Sequence, residues 1–177
     1  MLLNIYLLLQ NLQLKNSITE SKEAQATLPK HFPTFSLPEL RALRETPGYA
    51  KLSLFVLFSP ADCASCLGEA GLWKKLYEQF SNQGFCVIGI VDHTSRQELN
   101  RFVKVLKLNF PFYLDKTGTI KQQLRLTFSP AKVLVDKDGS ILKLDATGSL
   151  PAEQQEWYRQ TSEFISAYLG DERETNN

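Results

Sequence analysis

Residues 52–80 read LSLFVLFSPADCASCLGEAGLWKKLYEQF and decide the fold of the chain. Leu52 to Phe58 is an almost continuous apolar run, too short for a core helix, and it predicts a buried strand. After the Cys-x-x-Cys pair, apolar residues recur at helical spacing with charged residues between them. A second apolar run, Phe85 to Val91, follows. Because strands that are apolar on both sides belong to covered parallel sheets, this region predicts a β-α-β unit.

Strand and helix patterns alternate through the rest of the chain. Thr94 or Ser95 can cap a second helix, and the turn sequence that ends at Gly139 predicts an antiparallel hairpin. Gly170 is expected to end the last helix, and Phe32 to Leu40 to add an N-terminal edge strand. The order β-α-β-α-β-α-β-β-α predicts an α/β fold with a mixed central sheet and helices on both faces. Two further helices are predicted from apolar residues on one face: Leu99, Phe102, Val103 and Leu106 in the first, and Trp157, Thr161, Phe164, Ile165 and Tyr168 in the last. A short helix is predicted at Thr119–Leu124. The remaining strands are predicted at Phe110–Leu114 and, for the hairpin, at Val133–Val135 and Ile141–Leu144.

The size and charge of the chain indicate one ordinary globular domain. Its 177 residues, 43% hydrophobic and 22% charged, are enough to bury a core. The formal net charge of +1, with dispersed cations, excludes the basic patch expected of a nucleic-acid-binding protein. We predict an apolar segment and polar tether at 1–25, the folded domain at 26–170 and a polar tail at 171–177.

The first fourteen residues are uncharged and mostly apolar. They are shorter than the roughly 20 residues that span a bilayer as a helix, and they lack the basic start of a complete export signal. We interpret them as the end of a truncated export signal or anchor. A short interfacial segment and a plain tail are the alternatives.

The three cysteines differ in their surroundings. Cys63 and Cys66 stand where the first strand passes into the first helix, and a helix N-terminus favours a thiolate. Cys63 is therefore the predicted nucleophile and Cys66 the shielded resolving thiol. Half of a zinc site is one alternative, although only His31 and His93 could add histidine ligands, and an incidental pair is another. Cys86 lies within an apolar strand and is interpreted as core packing, and His93 as a surface residue.

Three motifs, in this order, resemble those of the thioredoxin superfamily, specifically the TlpA-like, AhpC/TSA-related thiol-disulfide oxidoreductases that work outside the cytoplasm. The first is Phe35-Ser36-Leu37-Pro38-Glu39-Leu40 and the second is Cys63-x-x-Cys66-x-x-Glu69. The third is Ser129-Pro130 followed by Val133-Leu134-Val135-Asp136-x-Asp138-Gly139. The resemblance covers about Phe32 to Gly170. It implies a thioredoxin-like three-layer α/β/α fold.

The resemblance also implies roles for single residues. Cys63 and Cys66 would form the redox-active disulfide, and Glu69 would be the carboxylate that influences their ionisation or moves protons. Pro130 would follow a cis peptide bond and, with Ser129, would face the substrate. A bland alternative for Glu69 is a favourable charge near a helix N-terminus, and one for Pro130 is punctuation at a strand start. No cofactor and no metal is implied.

The chain departs from the family pattern around the cysteines. The family usually has Trp shortly before the first cysteine and Pro near the pair, whereas Asp62 precedes Cys63 here. An adjacent carboxylate opposes thiolate formation. Gly71 stands where a proline commonly follows the glutamate. These changes bear on the redox potential and the partner of the protein.

The function that the resemblance implies is an extracytoplasmic reductant of protein disulfides. Its partners would be protein disulfide or dithiol clients and a membrane electron donor, with a membrane tether at the N-terminus and a monomeric state. A cytoplasmic location is the alternative.

Three other functions place different demands on the sequence. A redox-inactive module could bind a partner through an exposed Pro130 loop. A thiol peroxidase needs Thr or Ser three residues before its reactive cysteine, where this chain has Pro60. A metal carrier of related fold would need a wider cysteine spacing and a later histidine.

Overall fold

The computed structural model describes residues 29–34, 50–60, 64–145 and 151–174. The chain divides into two compact units, residues 1–30 and residues 31–177. Only residues 29 and 30 of the first unit are described, so the predicted segment 1–25 lies outside the described residues. The described strands and helices all belong to the second unit.

The described elements follow the order that the sequence predicts. Among the described residues, the apolar runs at 52–58 and 85–91 are strands, and the amphipathic stretches between and after them are helices. In chain order they are β1 (Leu52–Phe58), α1 (Ala64–Phe80), a short 3-10 helix (Ser81–Gln83), β2 (Phe85–Asp92), α2 (Arg96–Val105), β3 (Phe112–Asp115), α3 (Thr119–Gln123), β4 (Ala131–Asp136), β5 (Ile141–Asp145) and α4 (Pro151–Glu174).

The strands form one mixed sheet in the order β3-β2-β1-β4-β5. Strands β1, β2 and β3 are parallel, whereas β4 runs antiparallel to β1 and β5 antiparallel to β4. The pairing of Leu57 with Ala131 brings the start of β4 beside the end of β1. Pro130, which immediately precedes Ala131, is thereby placed next to the strand that leads to the cysteine pair.

Two apolar clusters cover the two faces of the sheet. Alternate β1 residues such as Leu54 and Val56 join a cluster with Trp73 of α1, Leu99 of α2 and Ile165 of α4. The intervening Leu57 joins a second cluster with Ile120 of α3 and Val133 of β4. Because both faces are covered by helices, the predicted three-layer α/β/α arrangement is confirmed.

The predicted cap at Ser95 and the predicted turn at Gly139 are both present in the structure. The side chain of Ser95 caps α2 by accepting a hydrogen bond from the backbone of Glu98. In the β4–β5 turn, Asp136 Oδ1 accepts hydrogen bonds from the backbone N–H groups of Asp138 and Ser140. Gly139 has a φ of 82°, which glycine adopts without the strain that a Cβ brings.

The predicted edge strand from Phe32 to Leu40 is wrong in its described part. His31 forms an isolated bridge with Ser140, and the Phe32 N–H donates to the carbonyl of Gly139 over 2.8 Å. Residues 32–34 are not in a strand. Pro33 has no N–H to donate, so the ladder does not continue through it. Residues 35–40 lie outside the described residues.

The predicted end of the last helix is also wrong. Helix α4 passes through Gly170 and ends at Glu174, so the first four residues of the predicted tail at 171–177 are helical. A glycine ends a helix when it turns to positive φ, and Gly170 does not. Strand β3 is shorter than predicted, since Phe110 and Pro111 precede it.

Candidate active site

The cysteine pair lies where β1 passes into α1. Helix α1 begins at Ala64, directly after Cys63, so Cys66 belongs to its first turn. Cys66 is fully buried and is disulfide-bonded. Cys63 lies outside the described residues. The structure therefore provides a buried sulfur at a helix N-terminus, in the oxidised state.

The third cysteine is a core residue, as predicted. Cys86 is a free, buried thiol in β2, and its Sγ lies 3.5 Å from the carbonyl oxygen of Val87. Burial raises the pKa of the Cys86 thiol to about 11, because the charged thiolate is disfavoured away from water. Cys86 therefore stays protonated at neutral pH and is a poor nucleophile.

Glu69 is fully buried in α1, one turn after Cys66. Its Oε2 lies 2.8 Å from the Nζ of Lys132 in a salt bridge that is closed to solvent. Its Oε1 is also buried and accepts no hydrogen bond from the described residues. The alternative interpretation of Glu69, a favourable charge near a helix N-terminus, does not account for this burial or for the salt bridge to Lys132.

Lys132 is the site residue that sequence analysis missed. It is buried in β4, where it pairs with Val56 of β1. Its ammonium also lies 3.2 Å from Asp145 Oδ2 and 4.8 Å from the ring centroid of Trp157. The sequence did contain a signal for this residue, because Lys132 stands inside an apolar strand two residues after Pro130. Lysine is almost never fully buried unless it is paired, so a charged partner could have been expected.

The loop before β4 is held against the end of β1. The Ser129–Pro130 peptide bond is cis, as the resemblance implies. The backbone N–H of Ser59 donates to Ser129 Oγ over 3.2 Å. Pro130 itself is buried, whereas Thr127 and Phe128 of the same loop are exposed, so the loop faces solvent without the proline ring.

Two large apolar side chains next to the site residues face solvent. Leu67, the neighbour of Cys66, is 57% exposed, and Phe128, two residues before Pro130, is 65% exposed. They give the site an apolar rim.

The described residues hold no other candidate site of the kinds that the sequence raised. His93 is exposed, with a φ of 46°, at the end of β2. Within the described ranges, no three His, Cys, Asp or Glu side chains form a group suited to a metal ion. Among the same residues, no helix combines the length and the apolarity needed to cross a membrane.

Comparison with known proteins places this geometry among thiol-dependent proteins. The profile of the AhpC/TSA family matches residues 28–144. The chain is 27% identical over 139 residues to thiol-disulfide oxidoreductase ResA of Bacillus cereus, covering 78% of this chain and 80% of that protein.

Solved structures share the fold at lower identity. A thiol:disulfide interchange protein DsbE from Chlorobium tepidum superposes with a TM-score of 0.67 at 17% identity, covering 80% of this chain and 97% of that one. Peroxidoxin BcpB from Mycobacterium tuberculosis superposes with a TM-score of 0.62 at 16% identity, covering 78% and 97%.

The fold, the disulfide-bonded Cys66 and the named relatives agree with one another. The fold is that of thioredoxin-like proteins, and the relatives support an enzyme, an oxidoreductase of the thiol-disulfide class. The matched profile covers most of the chain and all the described site residues except those after 144. The chain therefore belongs to the AhpC/TSA family of the thioredoxin superfamily.

Proposed function

We propose that this protein exchanges a Cys63–Cys66 disulfide with protein substrates and works as a reductant outside the cytoplasm. The observation that carries the proposal is the buried, disulfide-bonded Cys66 in the first turn of α1. Cys86 is a free thiol in β2, so Cys63 is the remaining cysteine of the three and the partner that we propose.

The exchange has two steps that balance in electrons. In the reduced protein, the Cys63 thiolate attacks one sulfur of a substrate disulfide, forms a mixed disulfide and releases the first substrate thiolate. Cys66 then loses its proton, attacks the sulfur of Cys63 and releases the second substrate thiolate. The substrate gains two electrons and this chain is left oxidised. A dithiol electron donor, which we place in the membrane, must return the two electrons.

The surface beside the cysteines supports a protein substrate. Leu67 and Phe128 offer exposed apolar area, and such area next to a functional site is typical of contacts with a partner. The bond between Ser59 and Ser129 holds the Pro130 loop at the end of β1. We propose that Ser129 and Pro130 support the substrate segment while it is attached to Cys63.

The extracytoplasmic location is supported by the resemblance to TlpA-like proteins. We propose that residues 1–25 export or tether the domain and that the domain acts as a monomer.

A thiol peroxidase is the contrasting enzyme, and BcpB has a similar fold. Proline has no hydroxyl to donate, so Pro60 cannot replace the Thr or Ser that a peroxidase places there. The proposal therefore favours disulfide exchange over peroxide reduction.

Reduction of insulin disulfides by dithiothreitol tests the proposal. The protein should accelerate the reaction at least tenfold, and Cys63→Ser should return it to the uncatalysed rate, while Cys86→Ala stays active. Phe128→Ser should raise the KM for insulin several-fold. Val105→Ser is the matched control, because Val105 is 69% exposed at the far end of α2. Full activity of Cys63→Ser would refute exchange through Cys63, and a wild-type protein that gives no acceleration would favour a redox-inactive binding module.

A further inference from the structure

A buried ammonium is fixed beside the carboxylate of the site. Lys132 Nζ and Glu69 Oε2 are 2.8 Å apart, and the two side chains are 1% and 0% exposed. Asp145 holds the same ammonium from a second side at 3.2 Å, and the ring of Trp157 from a third at 4.8 Å. A cation over an indole ring is attracted to the face of the ring. Lys132 therefore has a defined position rather than a range of rotamers.

This arrangement leaves one carboxylate oxygen unoccupied. Glu69 Oε1 is buried and accepts no hydrogen bond from the described residues, which is a costly state for a charged oxygen. Glu69 follows Cys66 by three residues in α1, so the two side chains are neighbours on one helix face. Both are fully buried. The unoccupied oxygen thus belongs to the helix face that carries the buried sulfur.

We propose that Lys132 is a positioning residue for the second step of the exchange. By holding Oε2, it fixes the orientation of the Glu69 carboxylate and leaves Oε1 to accept the proton of Cys66. The Cys66 thiolate then attacks Cys63 Sγ, the Cys63–Cys66 bond forms, the bond to the substrate sulfur breaks and the substrate leaves as a thiolate. The proton on Glu69 passes to solvent when the site opens. This inference rests on the proposed function.

Loss of the Lys132 ammonium would prevent Glu69 from accepting the proton of Cys66. Among the described residues, no other cation is paired with Glu69. A buried carboxyl group without a counter-ion is neutralised by a proton, and a protonated carboxyl accepts none from Cys66. The first step uses Cys63 and not this acceptor, so it should be unaffected.

Stopped-flow reaction of the reduced protein with a chromogenic aryl disulfide separates the two steps. The first equivalent of aryl thiolate reports the attack by Cys63, and a second, whose rate is independent of reagent concentration, reports the attack by Cys66. We expect Lys132→Met to slow the second phase about tenfold or more and to leave the first phase within twofold. Lys121→Met, which removes a less deeply buried ammonium that is paired with Asp92, should change neither phase.

A double-mutant cycle shows whether Lys132 acts through Glu69. Glu69→Gln should slow the second phase, and Lys132→Met combined with Glu69→Gln should slow it no further. If Lys132→Met alone fails to fold, the double variant can still be compared with Glu69→Gln, because the double variant removes both buried charges. Equal slowing by Lys132→Met in both backgrounds, or no slowing at all, would overturn the inference. A wild-type protein with no second phase would instead refute the proposed function.

Discussion

At the scale of single residues, the main electrostatic feature of the site is the buried salt bridge between Lys132 and Glu69. Burying two charges costs desolvation energy that their attraction offsets only while both are present. Their distance of 2.8 Å and their complete burial therefore make each residue dependent on the other. Cys86, in contrast, is buried as a neutral thiol and needs no partner of this kind.

Lys132→Met should lower the free energy of unfolding by about 3–5 kcal/mol, because the buried Glu69 carboxyl group loses the cation that offsets its desolvation. Combining it with Glu69→Gln should recover most of that loss. Denaturation in urea at neutral pH measures both. The control is Lys74→Met, which breaks the more exposed pair with Glu78 and should cost at most about 1 kcal/mol. Equal losses for Lys132→Met and Lys74→Met would contradict this assessment of the buried pair.

At the scale of elements, the capping box at the start of α2 sets where that helix begins. Ser95 Oγ accepts from the Glu98 N–H over 3.2 Å, and Glu98 Oε2 accepts from the Ser95 N–H over 2.8 Å. We expect Ser95→Ala to cost about 1 kcal/mol of stability, measured by thermal or urea unfolding. An unchanged midpoint would show that the cap is dispensable.

The same box gives a pH dependence with a definite sign. Hydrogen bonds from the Ser95 backbone and side chain lower the pKa of Glu98 below the ordinary value of 4.5. Its contribution to stability is therefore present above pH 4.5 and lost as the pH falls through the lowered folded-state value. Glu98→Gln should remove this part of the acid sensitivity.

The contact between β2 and β3 requires a residue without a side chain. A Cβ on Gly89 would overlap Cδ1 of Phe112, its partner in the parallel register. Gly89→Ala should therefore destabilise the protein by about 1–3 kcal/mol, measured by urea unfolding. Gly71→Ala is the matched control, because nothing lies within 4 Å of its added Cβ. A neutral Gly89→Ala would mean that Phe112 moves away without cost.

At the scale of the whole molecule, the sequence predicted what depends on neighbours along the chain. The apolar run from Leu52 to Phe58 and the turn at Gly139 give β1 and the β4–β5 hairpin directly. The Glu69–Lys132 pair joins residues 63 positions apart, and no local pattern links them. The end of α4 was missed because Gly170 is compatible both with a helix and with its end.

The location of the site follows from the topology rather than from any single motif. Antiparallel pairing of β4 with β1 brings Pro130 to the strand end that leads to Cys63, and the same pairing turns Lys132 towards α1 and Glu69. Sequence analysis placed Cys66 and Glu69 in one motif and Pro130 in another, and it did not name Lys132. Their common environment needed the sheet register, which a single sequence does not reveal.

The central claim is that Cys63 and Cys66 form one reversible disulfide. The most direct test is an equilibrium titration in glutathione redox buffers, with alkylated thiols counted by mass spectrometry, for the wild type and for Cys63→Ser. We predict that two thiols disappear together in the wild type while Cys86 stays reduced, and that Cys63→Ser forms no intramolecular disulfide. Three thiols that stay reduced throughout, or that are lost without pairing, would contradict the claim.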